Sequence, residues 1–237
     1  MIRQIIAYAL LAVTLAACTT AVPTPQTTLQ SAPATPDQLR SASAAARAFL
    51  QVQSRLEPVA EQECRRRTEN VNCDFRIVVD SRPGQPANAY QTLDKTRRPI
   101  IAFTVALIEQ ARNEDEIAFV MGHEAAHHIE GHIDRQRQNA AAGAIIFAGL
   151  ATLAGADAGA VQSAQRQGAF VGARSYSKEF ELEADRLGTV ITAKAGYSPL
   201  KGAQFFNRIP DPGDRFLGTH PPNAQRLEAV RQTAAGL

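Results

Sequence analysis

Residues 122–135, with the sequence GHEAAHHIEGHIDR, contain four of the five histidines of the chain. Successive residues of an α-helix turn by about 100°, so His123 and His127 lie about 40° apart on one face. Two imidazoles in that arrangement can bind one zinc ion, as in the His-Glu-x-x-His pattern. Glu124 lies beside this pair and can contact a water near the ion without binding the ion. The stretch therefore predicts two zinc ligands, His123 and His127, and a general base, Glu124.

His128 and His132 are also four residues apart, but their face is turned by about 140° from the first pair. If the helix stays regular through residue 132, one ion cannot bind both pairs. A second metal site on His128 and His132 stays open as an alternative, although Glu130 does not match the order of the motif. The longer pattern, with a third histidine six residues after the second, fails because Ile133 stands there. The third ligand must therefore come from another segment.

Carboxylates on a downstream helix offer that ligand. The segment SKEFELEADRLG, residues 177–188, places Glu181 and Asp185 four residues apart on one face. Glu179 and Glu183 form a different stripe of the same helix. Both Glu181 and Glu183 are candidates for the third ligand.

Together these motifs resemble those of the gluzincin metallopeptidases of the HtpX, Oma1 and CAAX prenyl protease type. The matching segments are HEAAH at 123–127, ELEAD at 181–185, NEDEIAFVMGHE at 113–124, PANAY at 86–90 and THPPNAQR at 219–226. The resemblance extends over about residues 50–237 and is strongest to the secreted, periplasmic members. It implies an α+β fold, namely a mostly helical zincin-like metallopeptidase domain with a small β-sheet.

The resemblance also implies roles for individual residues. It makes His123, His127 and Glu181 the ligands of one Zn²⁺ per chain, with a fourth position left for water. Glu183 stays as the rival third ligand, but the family's glutamate stands four residues before the aspartate, as Glu181 does before Asp185. Asp185 is then expected to accept a hydrogen bond from a ligand imidazole and to fix its tautomer.

His220 and Arg226 match a further element of the family, THP followed by an arginine. They are expected near the zinc, where an imidazole or a cation can stabilise the oxyanion of the tetrahedral intermediate. Alternatively, His220 binds the open zinc position and holds the enzyme latent. His132 falls where relatives often have a histidine, but the resemblance assigns it no metal role.

The first eighteen residues, MIRQIIAYALLAVTLAAC, are predicted to be a lipoprotein signal peptide. Arg3 precedes a thirteen-residue apolar run, and LAAC at 15–18 resembles the lipoprotein cleavage box, in which Cys18 becomes the lipid-modified first residue. A plain signal peptide is the alternative. Thr20, in place of aspartate, favours the outer membrane in Gram-negative bacteria. The expected location is the periplasmic side of the bacterial cell envelope, at a membrane reached through the lipid anchor.

Cys64 and Cys73 remain when Cys18 is set aside, and an even pair in an exported protein predicts a disulfide. The bridge would close a short loop and contribute about 2–3 kcal/mol to stability. A zinc-binding pair is the alternative, but the spacing is wider than in the usual zinc knuckle.

Residues 19–35, rich in Thr, Pro and Ala, are expected to form a tether, and the metallopeptidase domain is expected to occupy residues 36–237. Strands are predicted at 75–80 and 98–104. The second of these is expected to be the sheet edge on which an extended substrate docks.

Helices are predicted from capping residues and periodicity at 36–58, 114–132, 177–195 and 222–233. The Ala- and Gly-rich segment 139–160 is hydrophobic nearly all round and is expected to be a tightly packed core helix. Contact of this segment with a bilayer surface is the alternative.

The net charge is only +2, so no nucleic-acid partner is expected. The resemblance implies a zinc-dependent endopeptidase of cell-envelope quality control, whose partners are unfolded or misassembled polypeptides. The alternative is a chaperone or assembly factor for outer-membrane proteins with a latent protease site.

Overall fold

The computed structural model describes residues 36–237, with side chains from residue 41 onward. The predicted signal peptide 1–18, the lipidation site Cys18 and the tether 19–35 lie outside the described residues. Residues 36–237 form one unit of eight α-helices, a short 3-10 helix and a three-stranded sheet. The expected α+β class with a mostly helical body is confirmed.

The first helix, α1, spans Pro36–Arg67 and continues well past Pro58, where the sequence predicts its end. Proline removes the hydrogen bond to the carbonyl four residues earlier, but that residue, Ser54, is exposed and water can replace the bond. The disulfide Cys64–Cys73 is present, as predicted, and ties the end of α1 to the chain before the first strand. One buried face runs unbroken through the proline and holds the helix together: Phe49, Val52, Leu56, Ala60 and Cys64.

Three strands form the sheet: β1 (Arg76–Asp80), β2 (Ala89–Leu93) and β3 (Pro99–Thr104). The sequence predicts β1 and β3 but not β2, which is half-buried along its whole length and shows no apolar alternation. The order is β1–β3–β2, with β1 parallel and β2 antiparallel to β3. The prediction of β3 as the edge is therefore wrong: almost every residue of β3 is buried, as in a central strand, and β2 lies at the edge.

A short helix, α2 (Val105–Gln110), follows β3 directly, and α3 (Glu114–Ile129) carries the histidine motif. The side chain of Asn113 caps α3 by accepting a hydrogen bond from the N–H of Glu116. The helix ends three residues earlier than predicted, because Gly131 adopts a left-handed conformation with φ 67°. The next helix, α4 (His132–Leu153), then begins. His128 and His132 lie on different helices, so the prediction that they share a face turned away from the first pair is wrong.

The Ala- and Gly-rich segment forms a helical hairpin of α4 and α5 (Ala158–Arg174). The expectation of one buried core helix over 139–160 is wrong, since Gly155 interrupts it with φ 73° and Leu153 is 88% exposed. The two helices pack through small residues. A Cβ on Gly143 would lie 2.1 Å from the carbonyl oxygen of Gly168, so this close approach requires glycine. The larger side chains of α4 are left on the outer face.

Four further elements complete the described chain: α6 (Ser177–Lys194), α7 (Pro199–Gly202), a 3-10 helix (Ala203–Asn207) and α8 (Asn223–Ala234). The sequence predicts α6 and α8 within one or two residues. In the part of the chain that the structure describes, no helix combines the length and apolarity needed to cross a membrane.

Close packing of α6 against α3 positions the candidate site. A Cβ on Gly188 would lie 2.9 Å from the backbone nitrogen and Cα of His123, and one on Gly122 would lie 3.0 Å from the carbonyl oxygen of Gly188. Only glycine permits this approach of the two backbones. It brings the carboxylates of α6 next to the histidines of α3.

Candidate metal centre

Three potential metal ligands meet where α3 packs against α6. His123 and His127 come from one face of α3, and Glu181 comes from the start of α6. The Nε2 atoms of the two histidines are 3.0 Å apart, and each lies 3.5 Å from an oxygen of Glu181. Ligands roughly 2.0–2.2 Å from a tetrahedral zinc ion are about 3.4 Å from one another, so these three donors fit zinc. Among the residues that the structure describes, these three form the group of His, Cys, Asp or Glu side chains whose donor atoms lie close enough together to bind one metal ion.

The charges around the three donors favour a cation. Burial, and next the charge of His123, lowers the pKa of His127 to about 3, so this imidazole is neutral. Burial also opposes protonation of His123, but hydrogen bonds to Asp185 and Glu181 outweigh it and raise its pKa to about 9. Burial disfavours ionisation of Glu181, yet hydrogen bonds with His123 and His220 hold its pKa well below the usual value. The carboxylates therefore stabilise positive charge where the donors converge.

Asp185 orients the imidazole of His123. The Nδ1–H of His123 donates to Oδ1 of Asp185 over 2.9 Å, so Nε2 is the nitrogen at which a metal would replace a proton. Asp185 is fully buried and accepts two further hydrogen bonds, of 2.8 and 2.7 Å, from Arg226. The guanidinium of Arg226 is also buried, 4.0 Å over the ring of Phe206. Arg226 also lines the cavity and lies 3.4 Å from Glu181, so it is near the expected position, while its role at an oxyanion stays a prediction.

A second, partly buried chain of hydrogen bonds orients His127, and the sequence did not predict it. The Nε2–H of His132 donates to Glu183 over 3.0 Å, and burial lowers the pKa of His132, which favours its neutral form. Its Nδ1 therefore accepts, at 2.8 Å, from Nδ1 of His127. His127 consequently presents the lone pair of Nε2 to the metal position. Arg135 pairs with Glu183, and the ring of His132 stacks on Phe180.

The alternatives for the metal ligands find no support in this geometry. His128 donates from Nε2 to the backbone carbonyl oxygen of Asn72 over 2.7 Å, away from His132. The two histidines of the alternative second site therefore have separate partners, and no second group of metal ligands occurs among the described residues. Glu183 supports His132, whereas Glu181 meets both ligand histidines.

Glu124 lines a cavity of about 560 Å³ that is shared with the three donors. Burial, rather than any single neighbour, raises the pKa of Glu124 to about 7. The backbone of Gln91 in β2 faces this carboxylate and opposes part of the rise in its pKa. Residues 87–91, in and just before β2, line the same cavity. A carboxyl group with a pKa near neutrality can both accept and release a proton, as a general base must.

His220 reaches the centre from the loop before α8. Its Nδ1 lies 3.1 Å from Oε2 of Glu181, and 53% of its side chain is exposed. It lines the cavity together with Glu124. The expected position beside a ligand is observed, while the chemical role of His220 stays a prediction.

Comparison with known proteins gives one family and several relatives. The sequence profile of Peptidase family M48 matches residues 46–234. A protein of Vibrio cholerae is 33% identical over 148 residues, which cover 56% of this chain and 30% of that protein. Relatives from Escherichia coli O157:H7 and Yersinia pestis, both named beta-barrel assembly-enhancing protease, are 31% and 30% identical over 151 residues, or 54% of this chain and 29% of each relative. The chain thus matches less than a third of the length of these relatives.

Proposed function

Because the chain belongs to peptidase family M48, we propose that it is a zinc endopeptidase that hydrolyses peptide bonds of unfolded or misassembled envelope proteins. One observation carries this proposal: His123, His127 and Glu181 converge within 3.5 Å of one another beside the buried Glu124, in one cavity. Two histidines and one glutamate form an open catalytic zinc set, whereas a closed structural site would need a fourth protein ligand.

Zinc at this position supplies Lewis acidity, which polarises the scissile carbonyl and makes water more acidic. Glu124 removes the proton from the attacking water and then delivers it to the leaving amine. Burial raises its pKa toward neutrality, which favours both the uptake and the release of a proton.

The free edge of β2 is the proposed binding position for the substrate backbone. Its other edge pairs with β3, and residues 87–91 line the cavity next to Glu124. An extended peptide added to β2 as a further strand would lie across the zinc ligands. Recognition through backbone hydrogen bonds depends little on side chains and suits unfolded polypeptides of varied sequence.

Metal removal tests the zinc assignment. Purified protein is expected to contain one zinc ion per chain and to lose casein cleavage when a chelator removes it, with Zn²⁺ but not Mg²⁺ restoring activity. The reason is the ligand set: imidazole and carboxylate favour zinc, whereas Mg²⁺ prefers an all-oxygen octahedron. Elemental analysis after mild dialysis gives the metal content independently of activity. Protein that holds no zinc, or that cleaves casein without it, would contradict the proposal.

His220 is proposed to stabilise the oxyanion, and its replacement separates this role from latency. His220→Ala is expected to lower kcat by about 10²–10³-fold, the usual cost of losing one oxyanion donor, with little change in KM. A rise in activity would instead mean that His220 occludes the zinc. His128→Ala is the control, because His128 lies outside the cavity and contacts Asn72.

The proposed location is the periplasmic side of the cell envelope, with a signal peptide at 1–18, an acylated Cys18, a tether at 19–35 and the peptidase domain at 36–237. The sequence LAAC and Thr20 support anchoring to the outer membrane. The names of the relatives link proteolysis to the assembly of β-barrels. The alternative, an assembly factor that rarely cleaves, is less well supported because Glu124 and all three ligands are present.

A further inference from the structure

The outer face of α4 carries an apolar stripe that no described residue covers. The stripe consists of Ala142, Ile145, Ile146, Gly149, Leu150 and Leu153, and is called the α4 stripe below. Its four large side chains are 58–88% exposed. On a helix these six positions fall within about 140° of one another, so they form one continuous surface over three turns.

The packing of the hairpin leaves the α4 stripe outside. Gly143 of α4 lies against Gly168 of α5, and the backbone of Asn139 lies against Gly172. This contact occupies the side of α4 that faces α5. Folding of the described chain therefore provides no partner for Ile146, Leu150 and Leu153. Large aliphatic side chains exposed side by side mark a surface that contacts something else.

The chemistry of the stripe fits a lipid surface better than a protein. Residues 138–165 contain a single charged residue, Asp157, and the stripe itself has only aliphatic side chains and glycine. Protein interfaces are enriched in aromatic residues, Met and Arg, and use polar groups to fix the partner's orientation. A fluid hydrocarbon surface requires neither.

The hairpin would lie on the membrane and not cross it. Asp157 caps α5 at the tip of the hairpin, where its side chain accepts a hydrogen bond from the N–H of Ala160. A carboxylate at the tip opposes insertion tip first, whereas the stripe lies along the side of α4. An apolar helix face buried a few ångströms into the headgroup region is the usual mode of such contact.

From these features we infer that the α4 stripe rests on the membrane to which the chain is tethered. This inference rests on the proposed acylation of Cys18. Only the seventeen residues 19–35 separate Cys18 from Pro36, a span of at most about 60 Å. The tether therefore keeps the stripe within reach of the membrane surface.

The consequence for function is an oriented active site. His132 begins α4 and contacts the ligand His127, so the metal centre lies about 20 Å along α4 from Ile145. A stripe resting on the membrane holds the cavity close to the lipid surface. The enzyme would then select polypeptides that stall at that surface.

Vesicle flotation tests the inference. The mature chain from residue 18 with Cys18→Ser carries no lipid, and is expected to float with vesicles of phosphatidylethanolamine and phosphatidylglycerol. Replacing Ile146, Leu150 and Leu153 by glutamine is expected to lower the partition coefficient of the protein between vesicles and water at least about tenfold. The reason is that each substitution removes apolar side-chain area that would be buried in the membrane surface. The matched control replaces Leu50 and Leu200, which are exposed on other helices, by glutamine and should float like the parent.

Several results would overturn the inference. The first is a parent chain that does not float, and the second is a stripe variant that floats as well as the parent. The third is a parent chain that binds no vesicles but forms a dimer in sedimentation velocity, when the stripe variant is monomeric. Casein cleavage without vesicles should be equal in all three proteins. If the parent itself fails to cleave casein, the proposed function fails while flotation is judged separately. Mass spectrometry of the native N-terminus tests acylation of Cys18 on its own.

Discussion

Glu124→Gln is expected to lower kcat for casein cleavage by about 10²–10⁴-fold while the protein keeps one zinc ion per chain. A positioned general base contributes a factor of this size. Glutamine has nearly the same shape. It cannot accept the proton of the attacking water. Because Glu124 is not one of the three converging donors, zinc content should not change.

The matched control for this variant is Glu130→Gln. Glu130 is a partly buried glutamate just after the last residue of α3, and burial raises its pKa as it does that of Glu124. It does not line the cavity. Glu130→Gln should therefore keep full activity. Loss of zinc from Glu124→Gln would mean that its carboxylate binds the metal, and retained cleavage would favour a different base.

The convergence of His123 and His127 could be predicted because the relation between the two residues is local. His123 and His127 lie within one regular helix, where spacing alone determines the shared face. The same reasoning holds for Glu181 and Asp185 on α6. Which carboxylate meets the histidines depends on the contact between α3 and α6, which no local pattern contains. The resemblance to known metallopeptidases supplied that choice.

The hydrogen bond between His127 and His132 could not be predicted, because it depends on a break in the helix. A helical-wheel projection continued through residue 132 places His132 on a different face from His123 and His127. In the structure, Gly131 at φ 67° changes the direction of the chain before His132. His132 then returns to His127 from a new helix. The available signal for a helix end was Gly131, which follows the C-cap residue Glu130.

The edge strand and the exposed hairpin were missed for related reasons. β2 is half-buried on both faces, so its sequence AYQTL lacks the alternation that marks most strands. The segment 139–160 is apolar on nearly all sides, and periodicity cannot then distinguish a core helix from one with a surface stripe. Only the contact between Gly143 and Gly168 determines which side is covered.

Glu181→Gln is expected to weaken zinc binding by about 10²–10³-fold, whereas Glu183→Gln weakens it by about tenfold. Four-coordinate protein sites bind Zn²⁺ with a free energy of about 10–16 kcal/mol, so an equal share for each position is roughly 2.5–4 kcal/mol. Removing one ligand is expected to cost about that share. An amide oxygen is a poor substitute for a carboxylate at zinc. Competition with a chromophoric chelator measures both affinities without reference to catalysis.

The two variants make the same chemical change two residues apart on α6, so their difference isolates ligation from folding. Glu183 acts on the metal only through His132 and His127, and glutamine can still accept the hydrogen bond from His132. Losses at such outer partners are typically about 10–100-fold, and a retained hydrogen bond favours the lower value. Equal losses in the two variants would show that the position of Glu181 between the histidines does not reflect ligation. A larger loss in Glu183→Gln would assign the third ligand to Glu183 and require α6 to rotate relative to α3.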